Sequence, residues 1–169
     1  DRRTTLFENI HPIPRGVSYN SYLLLDEKTV LFDCVDWSAA PQLVENVEHL
    51  LNGRGLDYIV LHHLEPDHGA GLWAVAQRWP EAKIVAGLAA LRFMDQFGFA
   101  PIPGERITAK EGDRLSFGKH AVTFYAAPMV HWPDVMVSYE ETEGILFSAD
   151  AFGYFGALNG ALFNDEVDF

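Results

Sequence analysis

The sequence predicts an α/β fold, and two patterns indicate it. In roughly the first hundred of its 169 residues, short apolar runs alternate with stretches of helical periodicity. After Gly104 the pattern changes to short apolar runs separated by polar turns, which favours a mostly antiparallel meander. The chain is long enough for one domain with its own core, and no internal repeat or linker divides it. We therefore expect a single domain over residues 1-169.

The elements of the first half follow from apolar runs and their boundaries. Residues 19–25 and 30–33 predict an antiparallel hairpin around a polar turn. A helix is predicted over 41–52, because Pro41 suits a first helical turn and Gly53 a C-terminal stop. The remaining elements of this half are a strand at 58–61, a helix at 70–79, a strand at 83–86 and a helix at 89–97.

Five short strands are predicted in the second half. Turns rich in Gly, Asp and Glu separate most of them, so we assign all five to one meander. Their predicted ranges are 106–108, 114–117, 120–126, 135–139 and 145–148.

Composition excludes several classes of partner. Twelve basic against 24 acidic residues give a net charge of −12, which disfavours nucleic acid and anionic membrane surfaces. No apolar run approaches the roughly 20 residues of a membrane span, and the first residues lead into no signal-peptide core. Cys34 is the only cysteine, which excludes an internal disulfide and a cysteine-based metal site. We expect a cytoplasmic protein with Cys34 in its core.

The densest group of reactive side chains directly follows the predicted strand 58–61. Between His62 and His68 the chain carries three imidazoles and two carboxylates. The carboxyl end of a strand is where open α/β sheets place their sites, and so many polar groups are costly there unless paired or metal-bound. Imidazole and carboxylate together suit zinc or iron, which favours a metal site over a surface loop with chance histidines. The candidate ligands in this stretch are His63, Glu65, Asp67 and His68.

Two later residues extend this set of candidate ligands. His131 follows the predicted strand 120–126 by a short loop, and Asp150 comes at the end of the strand predicted to close at Ser148. Alone, Asp150 would as readily be a turn former, and a His before Trp132 would more often be structural. If the strand ends share one edge, six side chains converge, more than one tetrahedral ion needs. We therefore favour a dinuclear site bridged by Asp150.

The other histidines have simpler interpretations. His62 should point away from His63 if the strand geometry persists, and we expect it to pack in the interior. His49 lies on the polar side of a predicted helix and His120 follows a turn, so we expect both to be solvated.

Taken together, these motifs make the sequence recognisable. It resembles the metallo-β-lactamase-like domain of the flavodiiron proteins, which are oxygen and nitric-oxide reductases. The resemblance implies an αββα sandwich, of which this chain would form the N-terminal part. The motifs that carry it are residues 13–23, 63–68, 131–134 and 148–153.

The resemblance also implies a metal and its ligands. Hydrolases of the wider superfamily carry His-x-His-x-Asp-His, whereas Glu65 replaces the middle histidine here. An anionic oxygen ligand favours iron. The resemblance implies one iron held by His63, Glu65 and His131, and a second held by Asp67, with Asp150 bridging. His68 matches a position that ligates in some members and is displaced by water in others.

The family pattern includes one metal ligand that this sequence does not contain. The second iron of the family takes a further histidine downstream of the aspartate, but no histidine follows His131 here. We therefore expect the domain to be truncated at its C-terminus, with no flavodoxin-like FMN domain among these residues. The 169 residues alone should be inactive.

The implied activity is reduction of O2 to water or of NO to N2O by two iron ions, with electrons from FMN. No catalytic residue beyond the metal ligands is implied. The implied partners are a second subunit in a head-to-tail homodimer or higher oligomer, and a rubredoxin-like or flavin reductase donor. Two alternatives remain open: a diiron oxygen-binding sensor domain, and a dizinc hydrolase of the metallo-β-lactamase superfamily. The residues do not rank O2 against NO.

Overall fold

The structure, a computed structural model, describes residues 5–153, 156–158, 160–161 and 163–166. Two compact units divide the chain. The larger comprises residues 20–151, and the smaller combines the two chain ends, residues 1–19 and 152–169. Within the described part, no helix is both long and apolar enough to cross a membrane.

The smaller unit contains a short antiparallel hairpin, formed by β1 (Leu6–Phe7) and β2 (His11–Pro12). A backbone hydrogen bond of 3.0 Å from Ala157 to Arg15 joins the two chain ends, and a 3-10 turn spans Asn164–Glu166. Its apolar cluster consists of Phe7, Ile13 and Val17, with Tyr19 packed against them.

The larger unit is organised around a five-stranded mixed sheet. Strands β3 (Tyr22–Leu25) and β4 (Thr29–Phe32) form the predicted antiparallel hairpin. Parallel pairing then continues from β4 through β5 (Tyr58–Leu61), β6 (Lys83–Gly87) and β7 (Arg106–Ala109). The carboxyl ends of four neighbouring strands therefore meet at one edge, the edge at which α/β sheets place their sites.

Helices cover one face of this sheet. They are α1 (Ala40–Leu51), α2 (Pro66–Gly69), α3 (Leu72–Arg78) and α4 (Leu88–Gln96), with a 3-10 turn at Trp37–Ala39 before α1. The helix predicted over 70–79 is confirmed as α3, which begins two residues later. The sequence analysis missed α2, a separate helical turn that begins with a Pro at position N1 inside the histidine cluster.

A second, four-stranded sheet packs on the opposite face. It is the predicted antiparallel meander of β8 (Arg114–Ser116), β9 (Ala121–Ala126), β10 (Met136–Glu140) and β11 (Ile145–Phe147). The layers are thus helix, sheet, sheet, as expected for the N-terminal part of an αββα sandwich. The apolar layer between the sheets consists of Val30, Phe32, Val60, Val85, Ala109, Phe117, Val122, Phe124, Met136 and Phe147.

Two expectations from the sequence were wrong in this unit. The strand at 106–109 pairs in parallel with β6 rather than joining the meander, because the crossover through α4 returns the chain in the same direction. His120 is partly buried rather than solvated, with its Nδ1 2.8 Å from Asp26 Oδ2. Together with the His120 backbone N–H, this contact holds the pKa of Asp26 well below its usual value.

Gly104 offers a test of this fold. Its φ is +108°, and a Cβ there would overlap the Ala82 carbonyl oxygen. We expect Gly104→Ala to lower the free energy of unfolding by about 3 kcal/mol, from backbone strain and steric overlap. Urea denaturation measures the change. The matched variant Gly55→Ala should have little effect, because a Cβ there meets no atom within 4 Å. Equal losses in the two variants would contradict this packing.

Candidate metal centre

The chain leaves β5 with two histidines that face opposite ways. His62, fully buried, lies in the interior, where its Nδ1 is 2.9 Å from Asp33 Oδ2 and its Nε2 is 2.7 Å from Ser138 Oγ. Its ring stacks on Phe32 at a centroid distance of 6.0 Å. The prediction that His62 packs in the interior is confirmed. His63 points instead toward the other candidate ligands.

The short helix α2 presents the next three candidate ligands. Glu65 precedes the helix as its N-cap residue, and Asp67 and His68 lie in its single turn. Gly69 closes this turn with a 2.8 Å hydrogen bond from its N–H to the Glu65 carbonyl oxygen. A Cβ on Gly69 would lie 2.8 Å from Leu64 Cδ1, so only glycine fits the turn without displacing Leu64.

The second sheet supplies the last two side chains. His131 lies in the loop between β9 and β10, and the Trp132 ring packs edge-on against His63 at 5.1 Å. Asp150 lies three residues beyond the end of β11, in a turn closed by a 3.0 Å hydrogen bond from Ala151 N–H to the Ser148 carbonyl. We expected it directly at the strand end, but the strand closes earlier, at Phe147.

One group of four side chains has ligand atoms within 4.8 Å of one another: His63, Glu65, His131 and Asp150. We call it the first cluster. Glu65 Oε2 lies 3.0 Å from His63 Nε2 and 2.6 Å from His131 Nε2. Asp150 Oδ2 lies 3.6 Å from His63 Nε2 and 3.3 Å from His131 Nε2. Two imidazoles and two carboxylates thus direct their ligand atoms toward one another, as the ligands of a single metal ion do.

A second group, the second cluster, consists of Asp67, His68 and Asp150. His68 Nε2 lies 2.8 Å from Asp150 Oδ1 and 3.7 Å from Asp67 Oδ2. Asp150 therefore belongs to both clusters, one oxygen facing each. The structure brings together all six side chains that the sequence singled out.

Comparison with known proteins identifies the family. The sequence matches the family model described as ODP family beta lactamase over residues 17–168. The chain belongs to this family. The anaerobic nitric oxide reductase flavorubredoxin of Aliivibrio salmonicida is 38% identical over 161 residues, which cover 91% of this chain and 31% of the relative.

Solved structures of flavodiiron proteins match the fold of this ODP-family chain. The rubredoxin oxygen:oxidoreductase of Desulfovibrio gigas has a TM-score of 0.89 at 34% identity, covering 99% of this chain and 41% of the other. The flavodiiron protein of Giardia intestinalis has a TM-score of 0.89 at 26% identity, covering 99% and 40%. The resemblance and the sandwich fold predicted from the sequence are confirmed. This chain spans about a third of the length of the Aliivibrio salmonicida flavorubredoxin, 31% of which is covered.

Charge balance in this ODP-family site depends on the histidines. Burial would lower the pKa of His68, but its contacts with Asp150 and Asp33 raise it to about 11. Burial also opposes protonation of His63, and Asp134 and Glu65 raise its pKa to about 9. The imidazolium forms of both rings offset the negative charge of the carboxylates around them.

The carboxylates respond to this environment in two ways. Burial would raise the pKa values of Glu65 and Asp150, but their contacts with the histidines hold both below the usual range. The pKa of Asp67 is raised to about 6, mainly by burial, which exceeds the opposing attraction of His68, and further by the negative charges of Asp150 and Glu65. Asp67 is therefore the carboxylate for which the cluster provides too little positive charge.

The residues present fit two metal ions. Buried polar atoms without a hydrogen bond are costly, and Asp67 Oδ1 and Asp150 Oδ2 are two such atoms among the described residues. Both belong to the clusters. Three imidazoles and three carboxylates form a donor set suited to iron or zinc.

Two residues of the centre were missed by the sequence reasoning. Asp134 lies 3.1 Å from His63 Nδ1, and Asp33 lies 3.6 Å from His68 Nδ1. The available signals were the position of Asp134 three residues after His131 and that of Asp33 directly after β4. Because β4 and β5 run in parallel, Asp33 had to fall on the same sheet edge as His63.

Asp67→Asn should stabilise the metal-free protein at alkaline pH. Because the pKa of Asp67 in the folded protein is about 6, its protonated form is favoured and its contribution to stability is lost as pH rises through that value. Asparagine, which cannot ionise, should raise the free energy of unfolding by about 1–3 kcal/mol at pH 8 and by about a third as much at pH 4.5.

Urea denaturation with a metal chelator, repeated across this pH range, measures the difference. The exposed carboxylate Asp95, which pairs with Arg106 at 2.7 Å, provides the control variant Asp95→Asn, for which no such gain is expected. A loss of stability in Asp67→Asn at pH 8 would contradict the electrostatic argument.

Proposed function

We propose that this chain carries the ligands of a diiron centre that reduces NO to N2O or O2 to water, with electrons from FMN. The observation that carries the proposal is the pair of clusters joined by the two oxygens of Asp150. Relatives named nitric oxide reductase flavorubredoxin and rubredoxin oxygen:oxidoreductase support this reaction class.

Glu65 is the main argument for iron rather than zinc. Its side chain is 9% exposed, and one oxygen contacts the Nε2 atoms of both His63 and His131. A carboxylate in this position adds an anionic oxygen where superfamily hydrolases have an imidazole, and harder oxygen ligands favour iron over zinc. The dizinc hydrolase is therefore the weaker alternative.

In the proposed centre, the first cluster would hold one ion and the second cluster the other, with Asp150 shared. Iron ions supply electrons and open coordination positions for a small oxidant when bound. The protein's own residues orient and shield them. Trp132 packs edge-on against the His63 ring, and Leu64, next to His63 in the chain, is buried in the apolar core. A neutral gas needs no charged binding group, so a net charge of −12 does not oppose its entry.

The proposal also covers the rest of the protein and its partners. We propose that residues 1-169 belong to a metallo-β-lactamase-like domain whose remaining segments supply another histidine to the second ion, and that an FMN domain belongs to the same protein. A head-to-tail homodimer or higher oligomer, a rubredoxin-like or flavin reductase donor and a cytoplasmic location complete the proposal. These 169 residues alone should not turn over, because electrons would have no flavin route to the ions.

The full-length protein, purified without oxygen, should contain about two iron ions per chain, because the mixed donor set of the two clusters suits iron. Metal analysis by mass spectrometry gives the stoichiometry. Stoichiometric zinc without iron, after growth in iron-rich medium, would exclude the diiron centre and favour the dizinc hydrolase.

Glu65→His should shift the metal preference toward zinc and abolish reductase activity while the fold is retained, because it replaces one of the two carboxylates of the first cluster with an imidazole. Metal content, O2 and NO consumption and circular dichroism measure the three effects. Glu65→Asp, which keeps a carboxylate, should retain more iron than Glu65→His. Unchanged gas consumption by the histidine variant would count against the role given to Glu65.

A further inference from the structure

Asp134 is a buried carboxylate that faces the first cluster from outside. Asp134 is 3% exposed, and its Oδ2 accepts a 2.8 Å hydrogen bond from the Leu64 backbone N–H. The same oxygen lies 3.1 Å from His63 Nδ1. An ionised carboxylate only accepts hydrogen bonds, so the ring nitrogen that faces Asp134 carries a proton. His63 Nε2 is then the nitrogen directed at Glu65 and Asp150.

Asp33 occupies the corresponding place beside the second cluster. It follows β4 with a left-handed backbone, φ 53°, and is 5% exposed. Its Oδ1 accepts a 2.7 Å hydrogen bond from the His62 backbone N–H, and its Oδ2 lies 2.9 Å from His62 Nδ1. The same Oδ2 is 3.6 Å from His68 Nδ1. Ser138, fully buried on β10, lies 2.7 Å from His62 Nε2. This contact holds the His62 ring in place, and the His62 ring in turn holds Asp33 through its Nδ1.

The backbone around His68 holds this ring beside Asp33. The Cys34 N–H donates to the His68 carbonyl at 2.9 Å, and the Gly71 N–H donates to the Val35 carbonyl at 2.8 Å. A Cβ on Gly71 would lie 2.9 Å from that Val35 oxygen, so the two segments are in close contact. Within the described part of the chain, His68 Nδ1 is buried without a hydrogen bond, and it faces Asp33 Oδ2. A small ring rotation would complete this bond.

We infer that Asp134 and Asp33 are positioning residues, one for each cluster, that set which ring nitrogen of His63 and of His68 is free to bind metal. The inference rests on the proposed diiron centre. Asp134 accepts from His63 Nδ1–H, and Asp33 faces His68 Nδ1 at 3.6 Å, so the Nε2 lone pair of each ring is directed into its cluster. Carboxylates behind metal-binding histidines have this role in general.

The two carboxylates hold their histidines unequally. Both oxygens of Asp134 lie within 3.2 Å of His63 Nδ1. Asp33 gives its short contacts to His62 and meets His68 only at 3.6 Å. We therefore expect the first cluster to bind its ion more tightly than the second. The second should bind more weakly because Asp33 makes its short hydrogen bonds to His62 and not to His68.

Asparagine substitutions separate the two roles. In Asp134→Asn the amide oxygen still accepts the Leu64 N–H, and the NH2 takes the place of Oδ1, 3.2 Å from His63 Nδ1. In Asp33→Asn the amide oxygen still accepts the His62 N–H, and the NH2 takes the place of Oδ2, which faces both His62 Nδ1 and His68 Nδ1. Each change replaces an anionic acceptor beside Nδ1 with a neutral amide that also donates, which weakens the preference for Nδ1–H and a free Nε2. In the full chain, Asp33→Asn should weaken Zn2+ binding in the second cluster by about 10- to 100-fold, and Asp134→Asn should do so in the first. Asp95→Asn, exposed and remote in sequence from the clusters, should change neither.

Calorimetric titration of the metal-free full chain with Zn2+ gives the affinities, and long-range 15N spectra of the histidine rings show which ring has lost its ion. In the zinc-loaded wild-type protein, the same spectra should show Nδ1–H and metal-bound Nε2 for both His63 and His68. This wild-type measurement decides the question even if a variant does not fold.

Several outcomes would overturn the inference. Metal-bound Nδ1 in either ring would do so, as would equal weakening of both ions by Asp33→Asn, which indicates a general structural role. If both variants bind two zinc ions with wild-type affinity, Asp134 and Asp33 are not positioning residues, and the proposed centre is unaffected. A wild-type protein that binds fewer than two ions would remove both the inference and the proposed centre.

Discussion

Mutual repulsion among closely spaced, at least partly buried carboxylates is the constraint on which this centre depends. Asp150 and Glu65 both face His63 and His131, and Asp67 lies on the other side of Asp150. Three negative charges at this spacing are stable only beside compensating positive charge. The histidines supply part of it, which is why the pKa values of His63 and His68 rise while that of Asp67 also rises. Metal cations would supply the rest, so binding of ions and stability of the fold are coupled.

The two sheets must pack correctly before the centre exists. The first sheet contributes His63 and the ligands of α2, whereas the second contributes His131 and Asp150 through its loops. The Met136 N–H at the start of β10 donates to the His62 carbonyl at 2.9 Å, so the sheets are joined by a backbone hydrogen bond one residue from His63. Apolar packing between the sheets therefore positions the ligands, and a shift of one sheet would separate the two halves of the site.

Around these ligands lies a layer of polar residues that is fully buried and almost fully paired. His62, Ser138 and Asp33 form one hydrogen-bonded chain, and Asp134 with the Leu64 N–H forms another. Such networks are costly when any member is unpaired and give a unique arrangement when all are satisfied. In this protein they end at the two histidines that face the clusters, which links the order of the core to the geometry of the centre.

The sequence by itself determined the candidate ligands and most of the elements that carry them. The spacing His-x-Glu-x-Asp-His after an apolar strand is a local pattern, and local patterns are encoded by neighbouring residues. It also indicated His131 and Asp150, because each follows a strand. The tertiary structure alone decided that β7 joins the parallel sheet, that His120 pairs with Asp26, and that Asp134 and Asp33 stand behind His63 and His68. Those contacts join residues 35 to 94 positions apart, or depend on which strand a crossover selects. No local periodicity records such a choice, because it follows from how the two sheets and the helix layer bury their apolar faces together.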